Sequence, residues 1–314
     1  MNRGSSHLIH WAGDLLLTIL ALCLSVPIRW LPPRVLPSMS RWVGSALFFL
    51  HPRYRKRVVH NLRLAFGGEM DPKGIEKLAR EVFFHLTLTP LESLYGYLHP
   101  PERFLLKIKI EGEDHLRSAL AEGRGTIALG LHLGPFTLVG ARLALEGYRF
   151  NLIYNEGNYP KFWKRLGKHQ RRLGQNPIPL KPISVSLKKA LNCLRRNEIL
   201  YLIADEQQRR GGVPTPFFGR TAFTPPGPAL LSLKTGAPIL PMFIRREQGV
   251  PEALVIGPPI TVERSGNLES DMEQLTIAFT KAVERVVRAY PSQWAWLNRR
   301  WKQPKGSLTV RGET

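Results

Sequence analysis

An uninterrupted apolar run of strand length constrains this chain more than any other feature of its sequence. It covers residues 125–132 and reads Gly-Thr-Ile-Ala-Leu-Gly-Leu-His. A strand with one solvated face alternates apolar and polar residues, whereas a continuous apolar run is typical of a strand buried on both faces. The run therefore predicts a strand at the centre of a sheet that is covered on both sides.

Further apolar segments of strand length alternate with helical patterns along the chain. Strands are predicted over residues 150–154, 199–204, 239–244 and 253–256. Helices are predicted over residues 72–99, 136–146, 161–173, 185–196, 226–235 and 268–290. Strands separated by helices predict an α/β fold, with a mainly parallel sheet flanked by helices.

A second apolar run lies near the N-terminus, at residues 15–26, and reads LLLTILALCLSV. The run is shorter than the about 20 residues that a spanning helix needs. It predicts a membrane anchor or an interfacial helix. A cleaved signal peptide and a buried core helix remain as alternatives. Seven Lys and Arg residues follow the run between positions 29 and 57, and Arg3 alone precedes it, which predicts that the main domain lies on the cytoplasmic side. The predicted organisation is an anchor at 1–31, an α/β domain at 32–302 and a polar tail at 303–314.

The charge of the chain predicts an anionic partner. Lys and Arg number 45 against 24 Asp and Glu, giving a formal net charge of +21. Residues 161–196 contain eleven Lys and Arg and no acid, which favours contact with an anionic surface over a merely solvated helical face. Aromatic residues are not interleaved with this stretch as a base-stacking platform requires, which argues against nucleic acid. With two cysteines, no Cys/His cluster and no nucleotide motif, no metal or cofactor is expected.

His132 ends the central apolar run and is the leading candidate for catalysis. Ligands of open α/β sheets bind at the carboxyl ends of the strands, where a histidine is suited to act as a general base. The alternative is a histidine with a purely structural role. The turn at Gly134 leads into the next predicted helix, so free backbone N–H groups are expected close to His132.

Four short blocks follow one another in a specific order. They are Asn61-Leu62 with Ala65-Phe66, Ala204-Asp205-Glu206-Gln207, Phe217-Phe218-Gly219, and Trp294-Ala295-Trp296. Each is weak alone, but in this order and spacing the chain resembles, from residue 57 to 301, the lauroyl/myristoyl-type acyltransferases of late lipid A biosynthesis. The resemblance implies an N-terminal membrane helix, an α/β acyltransferase domain and a location at the bacterial inner membrane.

The same resemblance implies a reaction. A fatty acyl chain would pass from acyl carrier protein, or from acyl-CoA, to a hydroxyl of a glycolipid such as a lipid A precursor. A lysophospholipid or another lipid-linked alcohol is the alternative acceptor, and a catalytically inactive lipid-binding homologue is the alternative class. No acyl-enzyme is expected, because Gly-x-Ser-x-Gly is absent. An anionic membrane surface is an expected partner.

The family motif is a histidine, four residues, and then an Asp or Glu, and here Thr137 replaces the acid. A threonine hydroxyl can orient His132 but cannot offset the charge of an imidazolium. Another carboxylate could take over, the histidine could act alone, or the site could be inactive. Asp205 is the preferred substitute, since it ends a buried strand as His132 does, and Glu206 and Glu156 are the other candidates.

The resemblance also extends to substrate binding. Arg171 and Arg172 match an arginine-containing helix end near the family's site, where an arginine would bind a phosphate or a developing oxyanion. Gly134, Thr137 and Gln207 are the other residues predicted to contact substrate.

Overall fold

A computed structural model describes residue 23 and residues 25–157, 159–208 and 210–301. The apolar run predicted at 15–26 lies largely outside these residues, and the polar tail at 303–314 lies wholly outside them. Among the helices of the described ranges, none combines the length and the apolar character that crossing a membrane requires. The predicted spanning or interfacial helix therefore stays a prediction.

The described part of the chain contains helices and strands in the following positions. The α-helices are α1 (Val35–Leu50), α2 (Pro52–Phe66), α3 (Pro72–Leu98), α4 (Glu113–Ala121), α5 (Val139–Leu145), α6 (Pro160–Arg172), α7 (Ile183–Arg195), α8 (Gly227–Thr235) and α9 (Leu268–Ala289). The strands are β1 (Lys109–Glu111), β2 (Thr126–Gly130), β3 (Phe150–Tyr154), β4 (Gln175–Pro179), β5 (Ile199–Ile203), β6 (Val213–Phe217), β7 (Arg220–Thr224), β8 (Ile239–Glu247) and β9 (Val250–Ile256). Short 3₁₀ turns occur at Pro101–Arg103, Leu105–Lys107, Phe136–Leu138 and Pro291–Gln293.

Seven of these strands form one sheet in the order β1-β9-β8-β2-β5-β3-β4. Neighbouring strands are parallel except β8 and β9, which form an antiparallel hairpin. The prediction of an α/β fold with a mainly parallel sheet is therefore confirmed. All five residues of β2 are buried, as the continuous apolar run predicted.

The sheet has a hydrophobic core on each face. Ile127 and Leu129 of β2 pack into one core with α2, α3 and α7 to α9, whereas Ala128 between them packs into the other core with α5. Full burial of a side chain such as Leu or Ile contributes about 1.5–3 kcal/mol, so the alternating faces of β2 anchor both layers. This central strand holds the loop that follows it, residues 131–135, in a fixed place.

The long helix α3 crosses over the carboxyl edge of the sheet. Asp71 caps its first turn, where the carboxylate accepts a hydrogen bond from the Gly74 N–H at 2.7 Å. Further along the helix, the Thr89 hydroxyl donates to the Gly134 carbonyl at 3.2 Å. The loop after β2 is therefore attached to α3 as well as to its own strand.

Several strands were not predicted from the sequence. The edge strand β4 carries Pro177 and Pro179, and β6 carries Pro214 and Pro216, residues that normally argue against a strand. β6 and β7 form a separate two-stranded hairpin, whose turn at Phe218 and Gly219 has positive φ at both residues. Prolines are tolerated here because β4 lies at the sheet edge and β6 pairs with one neighbour.

Candidate active site

The strand register places His132 beside Asp205. β2 and β5 are neighbouring parallel strands in which Gly130 pairs with Ile203. His132 and Asp205 each lie two residues beyond those partners, with the same offset of 73 residues. Because parallel strands end at one edge, the two side chains emerge side by side.

Asp205 accepts three hydrogen bonds although its side chain is fully buried. One carboxylate oxygen, Oδ1, lies 2.8 Å from the His132 Nδ1 atom. The other, Oδ2, accepts from the His132 backbone N–H at 2.7 Å and from the Trp294 indole N–H at 2.6 Å. A carboxylate held by this many donors stays ionised, and it fixes the imidazole with its proton on Nδ1.

The electrostatics of the pair are mutually reinforcing. Burial of the imidazole lowers the pKa of His132, but the charge and hydrogen bond of Asp205 more than offset this, so the pKa is raised above its ordinary value. Burial raises the pKa of Asp205, but His132 and the Trp294 hydrogen bond bring it below its ordinary value. The pair therefore favours an ionised Asp205 and stabilises the protonated imidazole.

The other nitrogen of His132, Nε2, faces the open side of the site. The His132 side chain is 24% exposed, and the ring of Phe136 packs against it with 5.0 Å between centroids. The nearest carboxylate on this side is Glu206, whose Oε1 lies 3.8 Å from Nε2 and whose side chain is 56% exposed. With its proton on Nδ1, the imidazole presents a lone pair at Nε2 that can accept a proton from a bound hydroxyl.

Residues 293–295 run alongside the His132 loop as an antiparallel strap. The Ala295 N–H donates to the His132 carbonyl at 2.9 Å, and the Gly134 N–H donates to the Gln293 carbonyl at 3.1 Å. Gly134 has a φ of +59°, and a Cβ there would lie 2.0 Å from the Ile244 carbonyl oxygen. The site therefore requires glycine at this turn. The free N–H expected at Gly134 is not present, because the strap uses it.

A buried ion pair supports this strap from beneath. Arg246 on β8 donates to the Glu92 carboxylate on α3, with its Nε atom 2.9 Å from Oε2. Its guanidinium also donates to the Thr89 hydroxyl at 2.8 Å and to the His85 Nδ1 atom at 3.2 Å. Burial and the positive charge of Arg246 lower the pKa of His85 to about 3, so His85 is neutral and accepts this bond. The Gln293 side chain bonds both the N–H and the carbonyl of Arg246, which joins the pair to the strap.

Thr137 does not take the place of the missing acid. Its hydroxyl lies 2.5 Å from the Ser93 hydroxyl of α3, and its carbonyl accepts from the Tyr97 hydroxyl at 2.7 Å. Asp205 occupies the Nδ1 side of His132 instead. The residue at the motif position thus bonds to α3, and the carboxylate at the histidine comes from the neighbouring strand.

The remaining predicted residues lie at varied distances from His132. Gln207 is half-buried in the loop that follows Asp205. Glu156 accepts a bond from the Tyr154 hydroxyl at 3.2 Å, one strand beyond Asp205. Arg171 and Arg172 are exposed in the last turn of α6, which returns the chain to the start of β4. Neither arginine contacts His132 within the described residues, and their assignment to substrate stays a prediction.

Two residues that the sequence analysis did not assign to the site prove to hold it together. Trp294 donates to Asp205, and buried Arg300 donates to the Glu206 carbonyl at 3.1 Å and to the Thr224 hydroxyl at 2.6 Å. Burial lowers the pKa of Arg300 to about 10, and the negative charge of Asp205 opposes this shift. The signal for Trp294 was its place in the Trp-Ala-Trp block, whereas no sequence pattern predicts that Arg300 is buried.

The four sequence blocks converge behind the histidine. Asn61 on α2 donates to the carbonyls of Trp296 and Asn298 at 2.6 and 2.8 Å, which fixes the end of the strap. Phe66, Phe217 and Phe218 pack around Trp294 and Trp296. The order of the blocks in the sequence therefore reflects one aromatic cluster beneath the His132–Asp205 pair.

The chain is similar to known acyltransferases along most of its length. The model of the bacterial lipid A biosynthesis acyltransferase family matches residues 4–303. The lipid A biosynthesis lauroyltransferase of Escherichia coli (strain K12) is 26% identical over 296 residues, covering 90% of this chain and 92% of that protein. The lipid A biosynthesis palmitoleoyltransferase of the same organism is 24% identical over 257 residues, covering 80% and 79%.

A second group of relatives consists of phosphatidylinositol mannoside acyltransferases. The phosphatidylinositol mannoside acyltransferase of Mycobacterium tuberculosis (strain ATCC 25618 / H37Rv) is 27% identical over 197 residues, covering 61% of this chain and 59% of that protein. The resemblance inferred from the sequence blocks is confirmed by the family match along nearly the whole chain. The chain belongs to the bacterial lipid A biosynthesis acyltransferase family and is an acyltransferase.

Proposed function

We propose that this protein transfers a fatty acyl chain from a thioester donor to a hydroxyl of a glycolipid, with a lipid A precursor as the acceptor. The observation that carries the proposal is the hydrogen bond between His132 Nδ1 and a fully buried, ionised Asp205. A chain with Thr137 at the motif position would otherwise lack the carboxylate that an acyltransferase histidine needs. This pair favours an active enzyme over an inactive lipid-binding homologue.

In the proposed reaction His132 is the general base. Its Nε2 atom removes the proton of the acceptor hydroxyl, while Asp205 stabilises the imidazolium that forms. The acceptor oxygen attacks the thioester carbonyl, so an ester C–O bond forms and the C–S bond breaks. The departing thiolate takes the proton back from Nε2, which returns His132 to its neutral form.

The charged and apolar surfaces support a choice of donor and location. α6 packs on one face of the sheet and α7 on the other. Each carries exposed cations, Lys164 and Lys168 on α6 and Lys188 and Lys189 on α7, whose charge complements an acidic acyl carrier protein. Acyl-CoA is the alternative donor, since its phosphates would bind the same cations. Trp30 and Trp42 are exposed in a chain of net charge +21, which favours association with an anionic inner membrane, with the α/β domain on the cytoplasmic side.

A different glycolipid acceptor is the second candidate. The mycobacterial phosphatidylinositol mannoside acyltransferase is as similar in identity, at 27%, as the lauroyltransferase, at 26%. The lauroyltransferase alignment spans 92% of that relative, against 59% for the mannoside enzyme, which favours the lipid A precursor. A lysophospholipid is the third acceptor to test.

The test is an assay of purified full-length protein in detergent with each donor and each acceptor, followed by mass spectrometry of the lipid products. We expect acylation of the lipid A precursor, and a His132→Ala variant that stays folded and loses at least about 10²-fold in rate. Acylation of the mannoside lipid or lysophospholipid alone would replace the acceptor. A folded His132→Ala variant with full activity would contradict the proposed mechanism.

A further inference from the structure

A strongly basic groove lies between α2 and the first turn of α3, away from the His132 site. It has a volume of about 580 Å³ and is lined by Arg55, Lys56, Arg63 and Lys73, with Phe48 at one side. Glu76 is the acid among its lining residues, and its carboxylate already accepts from Arg80 at 2.8 Å. The groove therefore has positive charge that its own acid does not neutralise.

The helix that forms one wall of this groove has an unusual charge balance. Residues 51–68 contain five Lys and Arg and no Asp or Glu. Within the described ranges, none of these five cations forms an ion pair with a carboxylate within 4 Å, and neither does Lys73. Like charges held together on one helix repel one another, so an external anion would stabilise this arrangement.

An exposed apolar face adjoins the groove. On α1, Trp42 is 81% exposed, Leu50 73% and Phe49 58%. Phe48 joins the two surfaces, because the guanidinium groups of Arg55 and Arg80 lie 5.4 and 4.6 Å from its ring centroid, and Arg80 also lies 5.0 Å from that of Phe49. Aromatic and aliphatic side chains beside unpaired cations are typical of a surface that enters the interface of an anionic membrane.

We propose that the α2–α3 groove binds the phosphate headgroups of anionic phospholipids while the exposed face of α1 enters the interfacial layer of the same membrane. This inference rests on the membrane association in the proposed function and gives it a site. Nucleic acid would match the charge of the groove but not the apolar face beside it. Each cation close to an anionic bilayer strengthens binding about fivefold, so a groove with four of them gives a measurable contribution.

The test compares two variants of the full-length protein with equal loss of charge. The groove variant carries Lys56→Gln, Arg63→Gln and Lys73→Gln, and the control carries Lys234→Gln, Arg264→Gln and Lys281→Gln, all at exposed positions. Binding is measured by flotation with phosphatidylcholine vesicles, with and without about 30 mol % phosphatidylglycerol. We expect the groove variant to lose about tenfold or more in affinity for the anionic vesicles, and the control less than about threefold.

Each outcome separates this proposal from the acyl-transfer proposal. Equal losses of vesicle affinity in the two variants would show a response to net charge alone and would contradict the assignment of the groove as a headgroup site. A wild-type protein that binds neither type of vesicle would contradict both headgroup binding by the groove and membrane association. Binding of a DNA duplex that the groove variant loses and the control retains, with vesicle binding unchanged, would assign the groove to nucleic acid. Since the readout is binding, failure of acyl transfer in detergent leaves the result standing.

Discussion

Replacing Asp205 with asparagine should reverse the tautomer of His132 while leaving the fold in place. At the Oδ2 position two donors converge, the His132 backbone N–H at 2.7 Å and the Trp294 indole N–H at 2.6 Å. An asparagine has one acceptor oxygen, which must take this position, so its NH₂ group points at His132 Nδ1. Nδ1 must then accept, and the ring proton moves to Nε2, the atom that the proposed mechanism needs as a base.

The size of the effect follows from the cost of the alternatives. Turning the amide over would direct its NH₂ group at two N–H donors, and each buried group left without a partner costs about 1–3 kcal/mol. The reversed tautomer therefore dominates. The equivalent change in the serine-protease triad lowers kcat by about 10⁴, and we expect a loss of about 10³ to 10⁴ here. The three hydrogen bonds persist, one of them with its direction reversed, but all three lose the charge of the carboxylate, so the free energy of unfolding should fall by only about 1–3 kcal/mol.

The assay measures the initial rate with saturating donor and acceptor, and ¹⁵N NMR of the His132 side chain reports which nitrogen carries the proton. Glu206→Gln is the matched control, since Glu206 is the next residue, lies 3.8 Å from Nε2 and is 56% exposed. We expect this control to change the rate less than about threefold, because an exposed pair at this distance contributes little. An Asp205→Asn variant with the proton on Nδ1 and a rate within about tenfold of wild type would refute the reasoning.

Three further predictions follow from the same geometry. The pKa of His132 is raised above the ordinary 6.5, so the rate should fall as pH falls through this raised value, and Asp205→Asn should move the fall in rate to lower pH. A raised histidine pKa stabilises the folded state at low pH, so the contribution of His132 to the free energy of unfolding should be lost as pH rises through the folded-state pKa. Thr137→Glu should give no gain in rate and should lower stability by about 1–3 kcal/mol, because position 137 lies against Ser93 while Asp205 already bonds Nδ1; a tenfold gain would contradict this. Arg246→Met should lower the free energy of unfolding, measured with denaturant, by about 3–5 kcal/mol, because it leaves Glu92 buried and unpaired. The double variant Arg246→Met with Glu92→Leu should recover most of this loss, and the control Lys109→Met, at an exposed ion pair, should have little effect.

The fold was predictable wherever periodicity was strong. The five apolar segments became β2, β3, β5, β8 and β9, and the long helical patterns became α3, α6, α7, α8 and α9 with ends shifted by a few residues. The predicted helix at 136–146 begins as a 3₁₀ turn at Phe136–Leu138 before α5, because the chain must leave the tight loop at Gly134. Pattern reasoning failed at β4 and β6, where prolines stand in strands with one paired edge, and at the short strand β1.

The site was predictable only where it depends on strand order. Two buried strands that end in His132 and Asp205 lie at one edge of a parallel sheet, so the closeness of the two residues can be inferred without side-chain detail. The roles of Trp294, Gln293 and Arg246 depend on how the C-terminal strap and β8 meet the loop after β2. These contacts join residues at least 47 positions apart, and no local pattern encodes them.

The register of β2 and β5 explains how the acid can come from a different strand. A residue five positions after the histidine must reach back across a turn, and Thr137 is instead drawn toward Ser93 and Tyr97 of α3. Asp205 needs no such turn, because it extends the pairing in which Gly130 faces Ile203 and so lies level with His132. Its bond to the His132 backbone N–H continues the strand pairing, and its other oxygen is then directed at Nδ1. Substitution of the motif acid is therefore compatible with a charged partner for the histidine, provided that the β2–β5 register and the Trp294 donor are both retained.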